Sequence, residues 1–359
     1  MLEYHFEKTF HAHGKPDFHL EAADAMGREL TVLFGPSGAG KSTILNMLAG
    51  IVKPDRGHAV LRGHVLFHSG RGIDLPLRQR RIGYVFQDLA LFPHLSVFDN
   101  IAYGVPDGQP RESRVRELVH HFELEGQERK YPGQLSGGQR QRVAIARTLA
   151  AEPSLLMMDE PISALDEPTR ERILWDTSAL KERFAIPMLY VTHNLREAYS
   201  LADRVMVIDR GRVVETGPKE RVLERPARVR TAQCIGVENL YPCRVAAVRN
   251  GEMSVRVGDL EFTLWEDPRF APGDEAYLGI SPADVKVAGG TEPETNVLEP
   301  VVRSIMERKN IMIVHLEVLS AGWRVVMDVE KALCRRWGLS PGSRVRISLP
   351  KEAMFLCQA

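Results

Sequence analysis

The chain has 359 residues, 44% of them hydrophobic, and its 47 lysines and arginines are balanced by 47 aspartates and glutamates. That length and apolar content suit two domains, or three, each able to bury a core of its own. The even charge excludes a partner recruited by bulk electrostatics, such as a nucleic acid.

The start, MLEYHFEKTFHAHGK, lacks the basic-then-apolar order of a secretory leader, and no apolar run approaches the roughly 18 residues of a membrane span. The expectation is a polypeptide soluble by itself, held by another component if it works at a membrane. Cys234, Cys243, Cys334 and Cys357 lie far apart without metal-ligand spacing, which favours structural thiols in a reducing compartment.

Residues 30–34, LTVLF, read as a buried strand that breaks at Gly35 and is followed by a helical stretch, STILNMLAG. Between them stands GPSGAGKST: Gly35, Pro36, Ser37, Gly38, Ala39, Gly40, Lys41, Ser42 and Thr43. This is the phosphate-loop pattern in its strand-to-helix context. The glycines let backbone N–H groups converge on phosphate oxygens, and the helix N-terminus adds positive potential. Lys41 can reach the outer phosphates, and the Ser42 hydroxyl suits magnesium.

Gln87, in GYVFQD, follows a short strand, where its amide can contact magnesium and an attacking water; the next residues, DLALFPHLSVFDNIAYG, are rich in apolar side chains. Then comes LSGGQRQRVAIARTLA (135–150), a serine and two glycines at the mouth of a helix. That is a second anion-binding feature in a chain that already has one.

LLMMDEP (155–161) is an apolar strand ending in Asp159, which suits magnesium, and Glu160, which suits a general base. A helical pattern, PTRERILWDTSALKERF (168–184), leads to the strand MLYVTH and His193, a candidate contact for a γ-phosphate oxygen. A further strand run, DRVMVID (203–209), completes a strand–helix alternation that predicts a mostly parallel sheet covered on both faces.

Beyond about residue 235 short alternating strands take over, and Asn250-Gly251 between two of them predicts a hairpin. APGDEAYLGISP (271–282) and SPGSRVRISLP (340–350) resemble each other, so the predicted second domain is a small β-barrel of two related halves.

The ordered set GPSGAGKST, GYVFQD, LSGGQ, LLMMDEP, SALD (163–166) and YVTH resembles the nucleotide-binding subunit of ATP-binding cassette (ABC) transporters over residues 1 to about 230. The resemblance implies a P-loop α/β ATPase domain (1–235) with a mostly parallel sheet and a helical subdomain. It also implies a C-terminal all-β barrel (236–359) of the oligonucleotide-binding-like, TOBE or Mop type found in importers. By position, residues 35–43 become the Walker A loop, Gln87 the Q-loop and Asp159 the Walker B aspartate. Glu160 becomes the catalytic base, Asp166 part of the D-loop, and His193 the switch histidine.

Ser136, Gly137, Gly138 and Gln139 take the signature position. In this family two subunits pair head to tail, so the signature caps ATP held by the other copy. The adenine partner fits Phe10, with Phe6 and Tyr4 as rivals. Implied cofactors are ATP and magnesium; implied partners are a second copy, membrane-embedded permease subunits and, indirectly, a substrate-binding protein at the cytoplasmic face of the membrane. No nucleic acid is expected.

Among importers, LPLRQRRIGYVFQDLALFPHLSVFDNIAYG and PMLYVTHNLREAYSLADRVMVIDRGRV look most like the molybdate subfamily, with sulfate, iron and polyamine importers as alternatives. A soluble, non-transport cassette ATPase stands behind these. The barrel departs from the molybdate-binding pattern: Pro293, Glu294, Thr295 and Asn296 replace a Ser-Ala-Arg-Asn-like segment, and Ser348 stands where a lysine is expected. With an acid present and the cations missing, a structural or dimer-contact role, rather than oxyanion sensing, is the expectation for the barrel.

Overall fold

Leu30–Phe34 is buried along its whole length, as a run of apolar residues requires when it is flanked by a strand on each side and covered on both faces. The computed structural model describes residues 1–11, 17–162, 165–289, 295–319 and 322–359. The chain divides into two compact units, Met1–Lys219 and Glu220–Ala359. The short helix Val229–Cys234 therefore belongs to the second unit, although the sequence changes its texture only after it.

The first unit contains β1 (Leu2–Phe10), β2 (Phe18–Met26), β3 (Leu30–Phe34), β4 (Arg56–Leu61), β5 (His64–His68) and β6 (Ile73–Asp74). It continues with β7 (Ile82–Val85), β8 (Leu155–Asp159), β9 (Met188–Thr192), β10 (Arg204–Asp209) and β11 (Arg212–Pro218). Its helices are α1 (Lys41–Ala49), α2 (Val97–Gly104), α3 (Arg111–His121), α4 (Gly137–Ala150), α5 (Glu167–Phe184) and α6 (Leu195–Leu201).

All eleven strands join one sheet in the order β6-β5-β4-β1-β2-β11-β10-β3-β9-β8-β7. The run β10-β3-β9-β8-β7 is parallel throughout. The β1, β2, β4, β5 and β6 strands pair antiparallel; short connections fold the chain back on itself at β1–β2, β4–β5 and β5–β6, whereas β4 reaches β1 only after β3 and α1. Leu2, Tyr4 and Phe6 alternate inward from β1 and join Ile44, Leu48 and Met206 in one core, the period-2 signature of a sheet with one wet face. Arg80 is almost wholly buried, yet it is satisfied: it donates to the Met47 and Leu48 carbonyls at 2.9 and 2.8 Å, closing the C-terminus of α1, and pairs with Asp74 at 2.8 Å.

The second unit holds β12 (Asn239–Arg249), β13 (Glu252–Val257), β14 (Leu260–Trp265), β15 (Glu275–Ile280), β16 (Lys286–Val287) and β17 (Val297–Leu298). Next come β18 (Val301–Arg308), β19 (Ile311–Val318), β20 (Trp323–Glu330), β21 (Ile347–Ser348) and β22 (Phe355–Cys357). Three sheets, β14-β13-β12-β15-β22, β16-β21-β17 and β18-β19-β20, surround one core that includes Val255, Phe262, Leu278, Val314, Met327 and Ile347. The Asn250-Gly251 hairpin is present, with Arg249 facing Glu252 and both turn residues at positive φ.

The internal repeat is visible in hydrogen bonds. The Ala271 N–H donates to the Asp274 carboxylate and the Asp274 N–H to the Ala271 carbonyl, at 2.8 and 3.1 Å; Ser340 and Ser343 reproduce both bonds at 3.1 and 2.9 Å. Gly273 and Gly342, each at positive φ, then donate to Val245 and Val302, both at 2.8 Å. Each acceptor lies beside a register shift in its long strand. The strands that follow differ: β15 is six residues long and β21 two.

Candidate functional site

The phosphate loop leaves β3 through Gly35, where a Cβ would lie 2.0 Å from the Ile208 carbonyl oxygen. Only glycine lets the chain pass that close to β10. At Gly40, φ is 105° and a Cβ would meet the Leu20 side chain at 2.6 Å. Helix α1 starts immediately after, so the unspent amides of its first turn face the mouth of the loop.

Phe10, Phe18, Ser37, Gly38, Gly40, Lys41, Ser42, Thr43, Gln87 and Glu160 line one cleft of about 480 Å³. Gly35, Pro36 and Ala39 complete the loop behind it. Lys41 Nζ donates to the Gly35 and Pro36 carbonyls at 2.8 and 2.9 Å. Burial pushes its pKa down, against the pull of Glu160 and Asp159.

Asp159 ends a strand buried at every position. Its carboxylate accepts the Ser42 hydroxyl at 2.9 Å, and the Tyr84 hydroxyl lies 3.2 Å from its other oxygen and 3.1 Å from Asn46 Oδ1. Burial raises the Asp159 pKa, and the Ser42 and Tyr84 hydrogen bonds pull it back. Glu160 follows at φ 43°, a left-handed conformation that costs energy for a non-glycine residue. Its amide donates to the Val191 carbonyl at 3.0 Å and its Oε1 lies 3.0 Å from His193 Nδ1. The adjacent parallel strands β8 and β9 thus deliver Glu160 and His193 to one spot.

Of the three aromatic candidates at the N-terminus, Phe10 lines the cleft, whereas Tyr4 and Phe6 are 1% and 0% exposed and belong to the core. The structure adds Phe18, register-paired with Phe10 across β1 and β2, with ring centroids 6.2 Å apart. Period-2 alternation in FHLEAADAM was the signal that could have found it. Tyr84 was also missed, and its position one residue before the end of a short strand gives little warning.

The signature residues stand apart from this cleft: Ser136, Gly137, Gly138 and Gln139 are not among its lining. Ser136 caps α4, its hydroxyl accepting the Gln139 N–H at 3.2 Å while Gln139 Oε1 accepts the Ser136 N–H at 3.0 Å. The two glycines make room inside the chain: a Cβ at Gly137 would meet Leu165 at 2.7 Å, and one at Gly138 would meet Thr169 at 2.7 Å. Asp166 caps α5 by accepting the Thr169 N–H at 3.0 Å, and it too lies outside the cleft lining. Ser163 and Ala164 of the SALD segment fall outside the described residues, as do Pro293 and Glu294.

In the second unit, Asn296 Nδ2 donates to the Thr263 and Leu349 carbonyls at 2.8 and 2.9 Å, and its Oδ1 accepts the Thr263 N–H at 2.7 Å. Ser348 donates to the Thr295 carbonyl at 2.8 Å. These polar groups are used in joining strands.

The family description "ABC transporter" matches residues 24–163. The sulfate/thiosulfate import ATP-binding protein CysA of Methylococcus capsulatus is 37% identical over 337 residues, covering 91% of this chain and 91% of that protein. The molybdenum import ATP-binding protein ModC of Vibrio cholerae is 44% identical over 193 residues, covering 54% of this chain and 52% of that protein. Among solved structures, a dimeric post-hydrolysis state of the ATP-binding cassette MJ0796 bound to ADP and Pi superposes with a TM-score of 0.52 at 31% identity. The match covers 61% of this chain and 99% of that one.

Proposed function

This chain belongs to the ABC transporter family as the ATPase subunit of an importer, and on that premise we propose that two copies work head to tail at the cytoplasmic face of a membrane. One observation carries the reading: the Ser136–Gly138 mouth does not line the cleft of its own chain. In the pair each mouth, with Gln139, caps ATP held in the other copy's cleft, and Asp166 lies on the facing surface. The dimeric state of the MJ0796 cassette supports pairing of two copies.

The donors present fit magnesium: the Ser42 hydroxyl and Asp159 carboxylate meet at 2.9 Å and Gln87 lines the same cleft, an all-oxygen set when Gln87 offers its carbonyl. Bound there, magnesium would neutralise charge on the phosphate oxygens. Lys41 exchanges its two carbonyl partners for phosphate oxygens. Glu160 accepts a proton from the attacking water as the bond to the γ-phosphorus forms and ADP leaves. His193 holds a γ-phosphate oxygen and steadies Glu160.

Closure of the pair moves permease subunits docked on the stretch after Gln87, where the Phe92 ring packs against the exposed Tyr103 at a tilt of 57°, centroids 4.6 Å apart; a substrate-binding protein delivers the solute to them. No helix among the described residues is long and apolar enough to cross a membrane; the attachment proposed is peripheral, through the permease subunits. We take the solute to be a tetrahedral divalent oxyanion, of the molybdate or sulfate type. The likeness over 91% of the chain to a sulfate/thiosulfate import ATP-binding protein and the 44% identity over 193 residues to a molybdenum import ATP-binding protein support that class. A deletion strain should lose uptake of labelled molybdate or sulfate; unchanged uptake of both, with loss of iron or polyamine uptake, sinks it.

Pairing is tested by mixing a Lys41→Ala copy with a Ser136→Ala copy. The heterodimer has one site damaged twice and one built from intact halves, so activity should return on mixing. Proven heterodimers that stay as inactive as either parent would exclude the trans arrangement.

A further inference from the structure

The turn that carries His193 is held by a buried carboxylate that takes no part in the cleft. We propose that Glu197, with Arg170, is a positioning pair that fixes the His193 turn and ties it to the segment at Leu165. The proposal rests on the reading that His193 acts in hydrolysis.

Glu197 sits in the first turn of α6 and is 3% exposed. Its Oε2 accepts the Thr192 hydroxyl at 2.7 Å and the Tyr190 hydroxyl at 3.1 Å. Thr192 Oγ1, its proton committed to the carboxylate, accepts the Asn194 N–H at 2.9 Å. The residues on both sides of His193 are therefore fixed by one charged group. An ionised carboxylate only accepts hydrogen bonds, so it sets the direction of the Thr192 hydroxyl; an amide at the same place can donate and reverse it.

Glu197 Oε1 faces Arg170 Nε at 4.0 Å, and that nitrogen is buried with no hydrogen-bond partner among the described residues. The other end of the guanidinium is engaged: Nη2 donates to the Leu165 carbonyl at 3.0 Å and Nη1 to Glu167 at 3.1 Å. Leu165 is the side chain that a Cβ on Gly137 would strike. A shift of the signature mouth against Leu165 is thus passed to Arg170, and through Glu197 and Thr192 to the turn at His193. Burial alone raises the Glu197 pKa, while Thr192, Tyr190 and Arg170 favour its charged form. A buried carboxylate is costly unless paired in this way, and nothing in the nucleotide cleft requires one at this position.

The test is steady-state hydrolysis by the full chain, with folding checked by thermal unfolding. Glu197→Gln should lower kcat by about tenfold to a hundredfold with the KM for ATP within about twofold of wild type, the pattern of a misplaced rather than missing contact. Thr192→Val, close in shape and lacking the hydroxyl, should do the same, and it carries the test if Glu197→Gln does not fold. Arg170→Gln should add nothing to Glu197→Gln. In a His193→Ala background both Glu197→Gln and Thr192→Val should cause no further loss, since they act through that side chain. Wild-type kcat in Glu197→Gln, or a loss that multiplies with that of His193→Ala, overturns the relay alone. Wild-type kcat in His193→Ala itself overturns the role given to His193, and the relay falls with it.

Discussion

The phosphate loop and the signature mouth are both glycine-rich helix N-termini, yet they use glycine and hydrogen bonds in opposite ways. In the loop, Lys41 and Ser42 are bound to groups that a nucleotide or magnesium can replace: two loop carbonyls and Asp159. At the signature, Ser136 and Gln139 satisfy each other through a reciprocal cap, a complete local structure that needs no ligand to hold it. Gly35 is glycine because the backbone of Ile208 leaves no room, whereas Gly137 and Gly138 face the side chains of Leu165 and Thr169. The first region is built to exchange partners within one chain. The second presents a finished surface packed on the start of α5, as the proposed action on another copy requires.

That contrast can be broken by the smallest possible substitution. Gly35→Ala sets a methyl against a carbonyl oxygen at 2.0 Å, and the backbone of β10 has no rotamer with which to give way. The expected cost is about 3 kcal/mol or more, read as a drop in unfolding midpoint or as insoluble expression. Gly138→Ala meets side-chain ends, Thr169 Cγ2 at 2.7 Å and Ile173 Cδ1 at 3.7 Å, and alanine gains about 1 kcal/mol of helix propensity over glycine inside α4. Its unfolding midpoint should therefore correspond to a change within about 1 kcal/mol. Equal losses in the two variants would show that both glycines answer to the same steric demand.

The parts of the site that were legible in the sequence are those where chemistry and backbone demand coincide in a short stretch. LTVLF forms β3 over the same five residues, and the buried strands ending at Asp159 and Thr192 fall within a residue of their expected limits. Apolar runs ended by glycine, a carboxylate or histidine leave little freedom. The antiparallel strands β1, β2 and β4–β6 carry histidines, glutamates and alanines on their exposed face, which dilutes the apolar signal. Their role depends on neighbours distant in sequence, as in the pairing of His5 with His58 and of His58 with His68. Tyr84 and Glu197 were missed for a related reason: each acts through a side chain brought to it only by the fold. The internal repeat shows the same division, since its Pro-Gly turns share hydrogen bonds while the strands after them differ in length.

The edge of the cleft offers the finest test of the contrast, because two aromatic rings line it there and the family resemblance pointed to only one of them, Phe10. Phe10 and Phe18 face each other across β1 and β2 and both line the cleft, with Lys8 Nζ 5.8 Å above the Phe10 ring. A purine stacked on one ring lies beside the other, and a base–aromatic stack contributes about 1–3 kcal/mol. Phe10→Ala and Phe18→Ala should each weaken ATP binding, Phe10→Ala by about tenfold and Phe18→Ala by less, with kcat at saturating ATP nearly unchanged, the pattern of lost uniform binding. The double variant should lose less than the product of the single losses, since removing either ring leaves the base poorly held by the other. Binding of a fluorescent ATP analogue by the catalytically silent Glu160→Gln chain separates these effects from turnover. A Phe18→Ala variant with unaltered affinity would return adenine recognition to Phe10 alone and reduce Phe18 to a packing partner of its ring.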